Sequence, residues 1–223
     1  MTPRRKRIVL AASVAVLGLW AIALVVVALQ ARPGAQANAP AAAQIGPAPG
    51  PFRGGPLPGG LDRKPAFDFA LTDARGGTLD TRSLRGRPYV VTFLYTDCPD
   101  TCPLLASQLK AALEQLGPQG KDVTVVAVSA DPAGDTRGQV RQWLQERKLP
   151  PNFRYAIGTK QELLPVWDAY YAAPQPRDEE QSAHSASIWL VDADNRLRTK
   201  FSAGFGVPPS DIAHDLRILL EES

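Results

Sequence analysis

Residues 89–128 decide the fold of this chain and read YVVTFLYTDCPDTCPLLASQLKAALEQLGPQGKDVTVVAV. Two short β-prone runs, 89–95 and 123–128, are typical of strands buried on both faces. The stretch between them predicts a helix that ends at Gly117-Pro118, because apolar residues recur on one helical face at positions 105, 109, 112, 113 and 116. A strand, a helix and a second strand in this order predict a parallel strand pair with a right-handed crossover.

Further elements are predicted on both sides of this unit. The predicted order is a β-hairpin, a strand, a helix, a strand, two helices, a second hairpin and a closing helix. This order predicts an α/β fold, a thioredoxin-like sandwich with N-terminal and C-terminal hairpin additions. The first hairpin is predicted from a strand over 67–71 and a turn at Gly76-Gly77, and the second from strands over 187–191 and 197–201. The two helices before the second hairpin are predicted over 135–148 and 161–171. The closing helix is predicted from the apolar residues that share one of its faces, Ile212, Leu216, Leu219 and Leu220.

Composition excludes several classes of function. The chain has 223 residues and a formal net charge of +3, from 25 Lys and Arg against 22 Asp and Glu. Five of the cations lie at positions 4–7 and 32, so the remaining 20 basic and 22 acidic residues give a net charge of −2. This distribution argues against a nucleic-acid-binding face. The chain has only two cysteines, which excludes four-cysteine zinc clusters and disulfide frameworks.

The N-terminal part predicts a membrane anchor. Residues 1–7 form a basic cytoplasmic segment, and residues 8–29 form an uncharged apolar run long enough for one transmembrane helix. Residues 30–60 form a Pro/Gly/Ala-rich tether, and residues 61–223 form the folded domain. The predicted location is a bacterial-type inner membrane, crossed once, with the domain in the periplasm. A cleaved signal peptide is the alternative, because Ala35-Gln36-Ala37 has the pattern of a cleavage site.

Cys98 and Cys102 lie where the strand over 89–95 gives way to a helix. If that helix begins between them, the two thiols lie on one side, and a helix N-terminus favours thiolate over thiol. Three chemistries use such a pair: reversible disulfide formation, thiolate attack on a partner disulfide, and binding of a thiophilic metal. The alternative, a structural disulfide, is disfavoured because it would close a very small loop.

His184 is a candidate third metal ligand, because it lies in a polar loop just before the strand over 187–191, and an ordinary loop histidine is the alternative. Two thiolates and one imidazole suit copper, whereas zinc with the same set needs a fourth ligand or an open position. Asp131 and Asp100 are predicted to support the site without binding the metal, and a turn or helix cap is the alternative role for Asp131. The other histidine, His214, is predicted to face solvent.

These motifs together resemble the Sco/SenC family of copper-handling, thioredoxin-like proteins. The resemblance runs through residues 92–103, continues in 129–136, and returns at His184-Ser185 and in 192–195. It implies that Cys98, Cys102 and His184 hold one copper ion, Cu(I) or Cu(II). It also implies a role in maturing the binuclear copper centre of cytochrome c oxidase, with that subunit as recipient and with a periplasmic copper donor and a thiol reductant as further partners.

Two departures from the family pattern bear on individual residues. Ala183 stands where the family often has Asp before the metal-binding histidine. Gly134 and Arg137 replace the more usual Arg and Pro around Asp135-Thr136, so no functional role is predicted for Asp135. The alternatives to a metallochaperone are an enzyme, namely a thiol–disulfide reductase that keeps the recipient's cysteines reduced, a redox sensor, and a peroxidase.

Overall fold

The computed structural model describes residues 50–172, 187–202 and 206–223. These residues form one seven-stranded mixed sheet and four α-helices. The strands are β1 (Ala70–Asp73), β2 (Thr78–Asp80), β3 (Tyr89–Leu94), β4 (Thr124–Ser129), β5 (Phe153–Ile157), β6 (Ser187–Val191) and β7 (Leu197–Ser202), and the helices are α1 (Thr101–Gln115), α2 (Arg137–Glu146), α3 (Lys160–Ala169) and α4 (Pro209–Glu221).

The sheet has the order β2-β1-β5-β4-β3-β6-β7. The three central strands β5, β4 and β3 are parallel, as expected for strands joined by crossover helices, and both outer hairpins pair antiparallel with them. Helices α1, α2 and α4 pack on one face of the sheet, and α3 packs on the other. The predicted α/β sandwich with two hairpin additions is therefore the architecture of the described residues.

The sequence-based order missed strand β5. This strand is short, and Arg154 interrupts its run of buried apolar residues. The Arg154 guanidinium lies against the sheet because its Nε is 2.7 Å from a carboxylate oxygen of the buried Asp73. Strand β5 lies between α2 and α3 in the chain and is the third parallel strand of the sheet. It pairs with β4 on one side and with β1 of the N-terminal hairpin on the other.

The packed part of the chain begins before Leu61, the boundary that composition predicts. Gly55 pairs with Lys200 of β7, and the fully buried Asp215 carboxylate on α4 accepts hydrogen bonds from the backbone N–H groups of Arg53 and Gly54 at 2.8 Å each. A hydrogen bond to a charged group contributes about 1.5–3 kcal/mol, so these contacts fix the segment to the domain. Position 54 requires glycine, because an added Cβ would lie 2.2 Å from the Thr199 hydroxyl oxygen.

The predicted anchor over residues 8–29 lies outside the described residues, as does most of the predicted tether. Within residues 50–172, 187–202 and 206–223, no helix has the length and apolar character needed to cross a membrane.

Candidate metal and thiol site

The two cysteines lie at the carboxyl end of β3, where the chain enters α1. Helix α1 begins at Thr101, between the cysteines, so that Cys102 lies in its first turn and Cys98 in the preceding loop. Asp100 occupies the N-cap position, and its carboxylate accepts a hydrogen bond from the Thr101 N–H. This cap fixes the start of the helix between the thiols, as the spacing of the cysteines requires if both are to lie on one side.

Both cysteines are free thiols and both are buried, with exposed fractions of 5% for Cys98 and 2% for Cys102. The Cys102 backbone N–H donates a hydrogen bond to the Cys98 sulfur over 3.2 Å. The first turn of α1 thus directs a peptide N–H at this sulfur, which favours a negative charge on it. The pair is therefore arranged for thiolate chemistry at Cys98.

The two thiols differ in acidity. The pKa of Cys98 is lowered to about 6, and the largest cause is a hydrogen bond from the Cys102 thiol. Hydrogen bonds from the Cys102 N–H and the Tyr95 hydroxyl lower this pKa further, whereas burial of the sulfur raises it. The same hydrogen bond to Cys98, together with burial, raises the pKa of Cys102. The reduced pair is therefore arranged to ionise at Cys98 rather than at Cys102.

The two acids predicted to support the site both bind backbone amides. Asp100 caps α1, as described above. Asp131 follows β4 and is 8% exposed, and its carboxylate accepts hydrogen bonds from the N–H groups of Ala133 and Gly134 at 3.2 and 3.0 Å. The turn-capping role that the Asp-Pro pattern allows for Asp131 is thus present in the structure. These contacts shape the loops at the carboxyl end of the sheet.

Asp135, for which the sequence predicts no functional role, is the centre of a buried hydrogen-bond network that includes Thr96 of the cysteine loop. Its carboxylate is 3% exposed and accepts hydrogen bonds from Thr96, Ser129 and Tyr155. Its position four residues after Asp131 in a strand-to-helix loop was the only signal in the sequence. The partners come from three separate segments of the chain, and no local pattern reveals them.

His184 lies outside the described residues. In the part of the chain that the structure describes, no three His, Cys, Asp or Glu side chains form a group that could hold a metal ion. His214 is half-buried on α4, with its Nδ1 2.9 Å from a carboxylate oxygen of Asp215, so it is less exposed than its sequence position predicts.

The sheet register shows where the described chain resumes after His184. Strand β6 runs antiparallel to β3, with Ile188 opposite Thr92. Ser187, the first residue of β6 and three residues after His184 in the sequence, therefore lies at the end of the sheet from which the cysteine loop leaves. The two thiols and the first residue of β6 therefore lie at the same end of the sheet.

Comparison with known proteins identifies the family. The sequence profile described as SCO1/SenC matches residues 62–221 of the chain. The chain belongs to the SCO1/SenC family. This match spans the cysteine pair, Asp131, Asp135 and His184.

Several SCO1/SenC relatives show the extent of the similarity. Protein SenC of Rhodobacter capsulatus is 30% identical over 128 residues, which are 56% of this chain and 57% of that protein. The SCO1 protein homolog of Bacillus subtilis is 23% identical over 153 residues, which are 67% of this chain and 79% of that protein.

Solved Sco structures confirm the thioredoxin-like α/β fold. ScoI of Bradyrhizobium japonicum, solved with copper bound, is 30% identical and superposes with a TM-score of 0.59, covering 70% of this chain and 99% of that one. Apo Sco1 of Thermus thermophilus is 26% identical with a TM-score of 0.63, covering 76% of this chain and 97% of that one.

Proposed function

We propose that this chain is a copper-binding Sco protein that takes part in cytochrome c oxidase assembly and delivers copper to the oxidase's binuclear copper centre. The observation that carries the proposal is the reduced Cys98–Cys102 pair at the N-terminus of α1, with one sulfur poised as a thiolate. The related ScoI of Bradyrhizobium japonicum was solved with copper bound, which supports copper as the metal that this chain carries.

The donor set fits copper better than zinc. Thiolates favour Cu(I), and an imidazole accepts either copper oxidation state. Cys98 and Cys102 supply the two sulfurs, and His184 is the proposed third ligand. A three-ligand site leaves room for an incoming group, so copper can pass by stepwise exchange, with a recipient thiolate entering before a donor sulfur leaves. The proposed recipient is the copper-centre subunit of the oxidase, and a periplasmic copper donor would load the site.

Copper binding and disulfide formation exclude each other at this pair. Only reduced and deprotonated sulfurs bind the metal, so oxidation of the pair releases it. The second candidate function, thiol–disulfide reduction of the recipient's cysteines, uses the same two sulfurs without His184. The low pKa of Cys98 favours this candidate as well, because a thiolate is the attacking group in disulfide exchange. A redox sensor would use the same reversible pair.

Copper titration of the cysteine variants tests the proposed site. The reduced full chain should bind one Cu(I), whereas Cys98→Ser and Cys102→Ser should each fail to retain it against a chromophoric Cu(I) chelator, because a hydroxyl is a poor ligand for a soft ion. The oxidised wild-type chain is the matched control and should also bind none. Retention of one copper ion by either serine variant would contradict the proposed ligand set.

We further propose that residues 8–29 anchor the protein in the inner membrane with the domain in the periplasm, on the strength of the uncharged run and the basic residues before it. After alkaline carbonate extraction, the full-length chain should stay in the membrane pellet, and protease added to spheroplasts should digest the domain. A shortened, soluble periplasmic form would show instead that the segment is a cleaved signal.

A further inference from the structure

The Asp135 carboxylate binds four hydrogen-bond donors. Thr96 donates to Oδ1 through its backbone N–H at 2.8 Å and through its hydroxyl at 2.7 Å. Ser129 and Tyr155 donate to Oδ2 through their hydroxyls at 2.6 and 2.9 Å. One side chain thus joins the loop before Cys98, the end of β4 and the middle of β5.

Burial of a carboxylate destabilises the folded state unless each of its oxygens accepts hydrogen bonds. A buried aspartate at this position therefore needs a functional explanation. Burial raises the pKa of Asp135, whereas its four hydrogen bonds favour the ionised form. A neutral residue of the same shape could hold these segments together at lower cost. The negative charge is the property that such a residue would lack.

The network is bonded to the loop that carries Cys98. Thr96 is two residues before Cys98, and Tyr155 belongs to the same buried cluster as Cys102. The Tyr155 hydroxyl is the group of that cluster that binds the Asp135 carboxylate. The loop that presents one cysteine and the surroundings of the other are thus both connected to this carboxylate.

We propose that Asp135 is a positioning residue of the Cys98–Cys102 pair, one that anchors the loop between β3 and α1 and shifts the dithiol–disulfide equilibrium through its buried negative charge. The proposal deepens the proposed function and rests on it, since the pair must cycle between dithiol and disulfide. A dithiol can ionise whereas a disulfide cannot, so a nearby negative charge, which opposes negative charge on sulfur, favours the disulfide.

Exchange with glutathione disulfide shows the balance of this reaction. The Cys98 thiolate and the Cys102 thiol form one S–S bond and give up two electrons. The S–S bond of glutathione disulfide breaks, and its two sulfurs leave as one thiolate and one thiol, the latter carrying the Cys102 proton. The equilibrium constant of this exchange is the quantity that Asp135 is proposed to set.

The substitution Asp135→Asn removes the negative charge but keeps groups that can hydrogen-bond to the same partners, so it tests the charge separately from the anchoring of the loop. The amide oxygen can accept from both Thr96 donors, and the amide N–H groups can donate to the Ser129 and Tyr155 oxygens. The Tyr155 hydroxyl then donates its hydrogen bond to the Leu94 carbonyl oxygen alone, which lies 2.9 Å from the hydroxyl oxygen. In glutathione redox buffers, this variant of the full chain should form the disulfide with an equilibrium constant about tenfold smaller, which corresponds to about 30 mV towards a more oxidising potential.

Asp215→Asn is the matched control, because Asp215 is also a buried carboxylate that accepts several N–H hydrogen bonds, but on α4. It should change the exchange equilibrium less than twofold. An Asp135→Asn shift below twofold, or an equal shift in both variants, would overturn the proposal. This assay contains no copper, so its failure is distinguishable from a failure of wild-type copper binding.

If Asp135→Asn does not fold, Thr96→Val tests the anchor separately. Valine keeps the branched shape and the backbone N–H but removes the hydroxyl donor to Asp135. Amide hydrogen exchange at residues 96–98 should accelerate at least about tenfold, because the loop loses one of its two bonds to the carboxylate. Unchanged protection of this loop would show that Asp135 does not anchor it.

Discussion

His184→Ala should weaken copper retention by at least about 100-fold in the reduced full chain. Loss of a group that only orients a metal ligand costs about 10–100-fold in affinity, and loss of a ligand itself exceeds that. The measurement is competition with a chromophoric Cu(I) chelator, with the bound metal counted per chain. Both cysteines remain in this variant, so any loss belongs to the imidazole.

His214→Ala is the matched control, since the chain has two histidines and His214 bonds to Asp215 on α4. This variant should keep its copper. Oxidase maturation in cells that lack the wild-type protein gives the functional readout, and we expect His184→Ala to fail there as well. Full maturation by His184→Ala would favour the reductase function, because dithiol exchange needs only Cys98 and Cys102.

The second large effect concerns the pH dependence of thiol alkylation. With a pKa of about 6, the thiolate fraction of Cys98 rises only about tenfold between pH 5 and pH 8 and is nearly constant above pH 7. A thiol with an ordinary pKa of about 9 would gain about a thousandfold over the same interval. Iodoacetamide labelling, located by peptide mass spectrometry, should therefore show an early plateau at Cys98, and labelling at Cys102 should still be rising at pH 8.

Cys102→Ala tests the cause of this acidity. The variant removes the thiol that makes the largest contribution to lowering the pKa of Cys98, although the backbone N–H at position 102 remains. The Cys98 labelling plateau should accordingly move to higher pH. A Cys98 profile without a plateau in the wild type, or one unchanged in Cys102→Ala, would contradict the hydrogen-bonded pair that the structure shows.

The asymmetry of the pair bears on both proposed functions. In copper loading, Cys98 can bind the ion as a thiolate first, and Cys102 must release its proton before it completes the site. In disulfide exchange, Cys98 is the attacking sulfur, and the buried Cys102 is the one that closes the intramolecular bond. The order of events at the two sulfurs is therefore the same whether the incoming group is copper or a disulfide.

The prediction of the fold from sequence succeeded where the signals were local. The buried run that became β3, the apolar stripe of α1 and the DADN turn between β6 and β7 are each formed by residues that are close together in the sequence. Strand β5 was missed because Arg154 breaks its apolar run, and the half-buried Arg154 is accommodated by Asp73 of β1 and the Thr78 carbonyl oxygen of β2.

The sequence by itself determined that two cysteines four residues apart would stand at a strand-to-helix junction, because β-prone and helical periodicities meet there. Only the tertiary structure decided where the N-terminal segment packs and that Asp135 binds the loop before Cys98. Those features depend on hydrogen bonds between Asp135, Thr96 and Tyr155 or between Asp215 and Arg53, which are distant in the chain. Sheet order and helix packing bring them together, and no local pattern encodes such contacts.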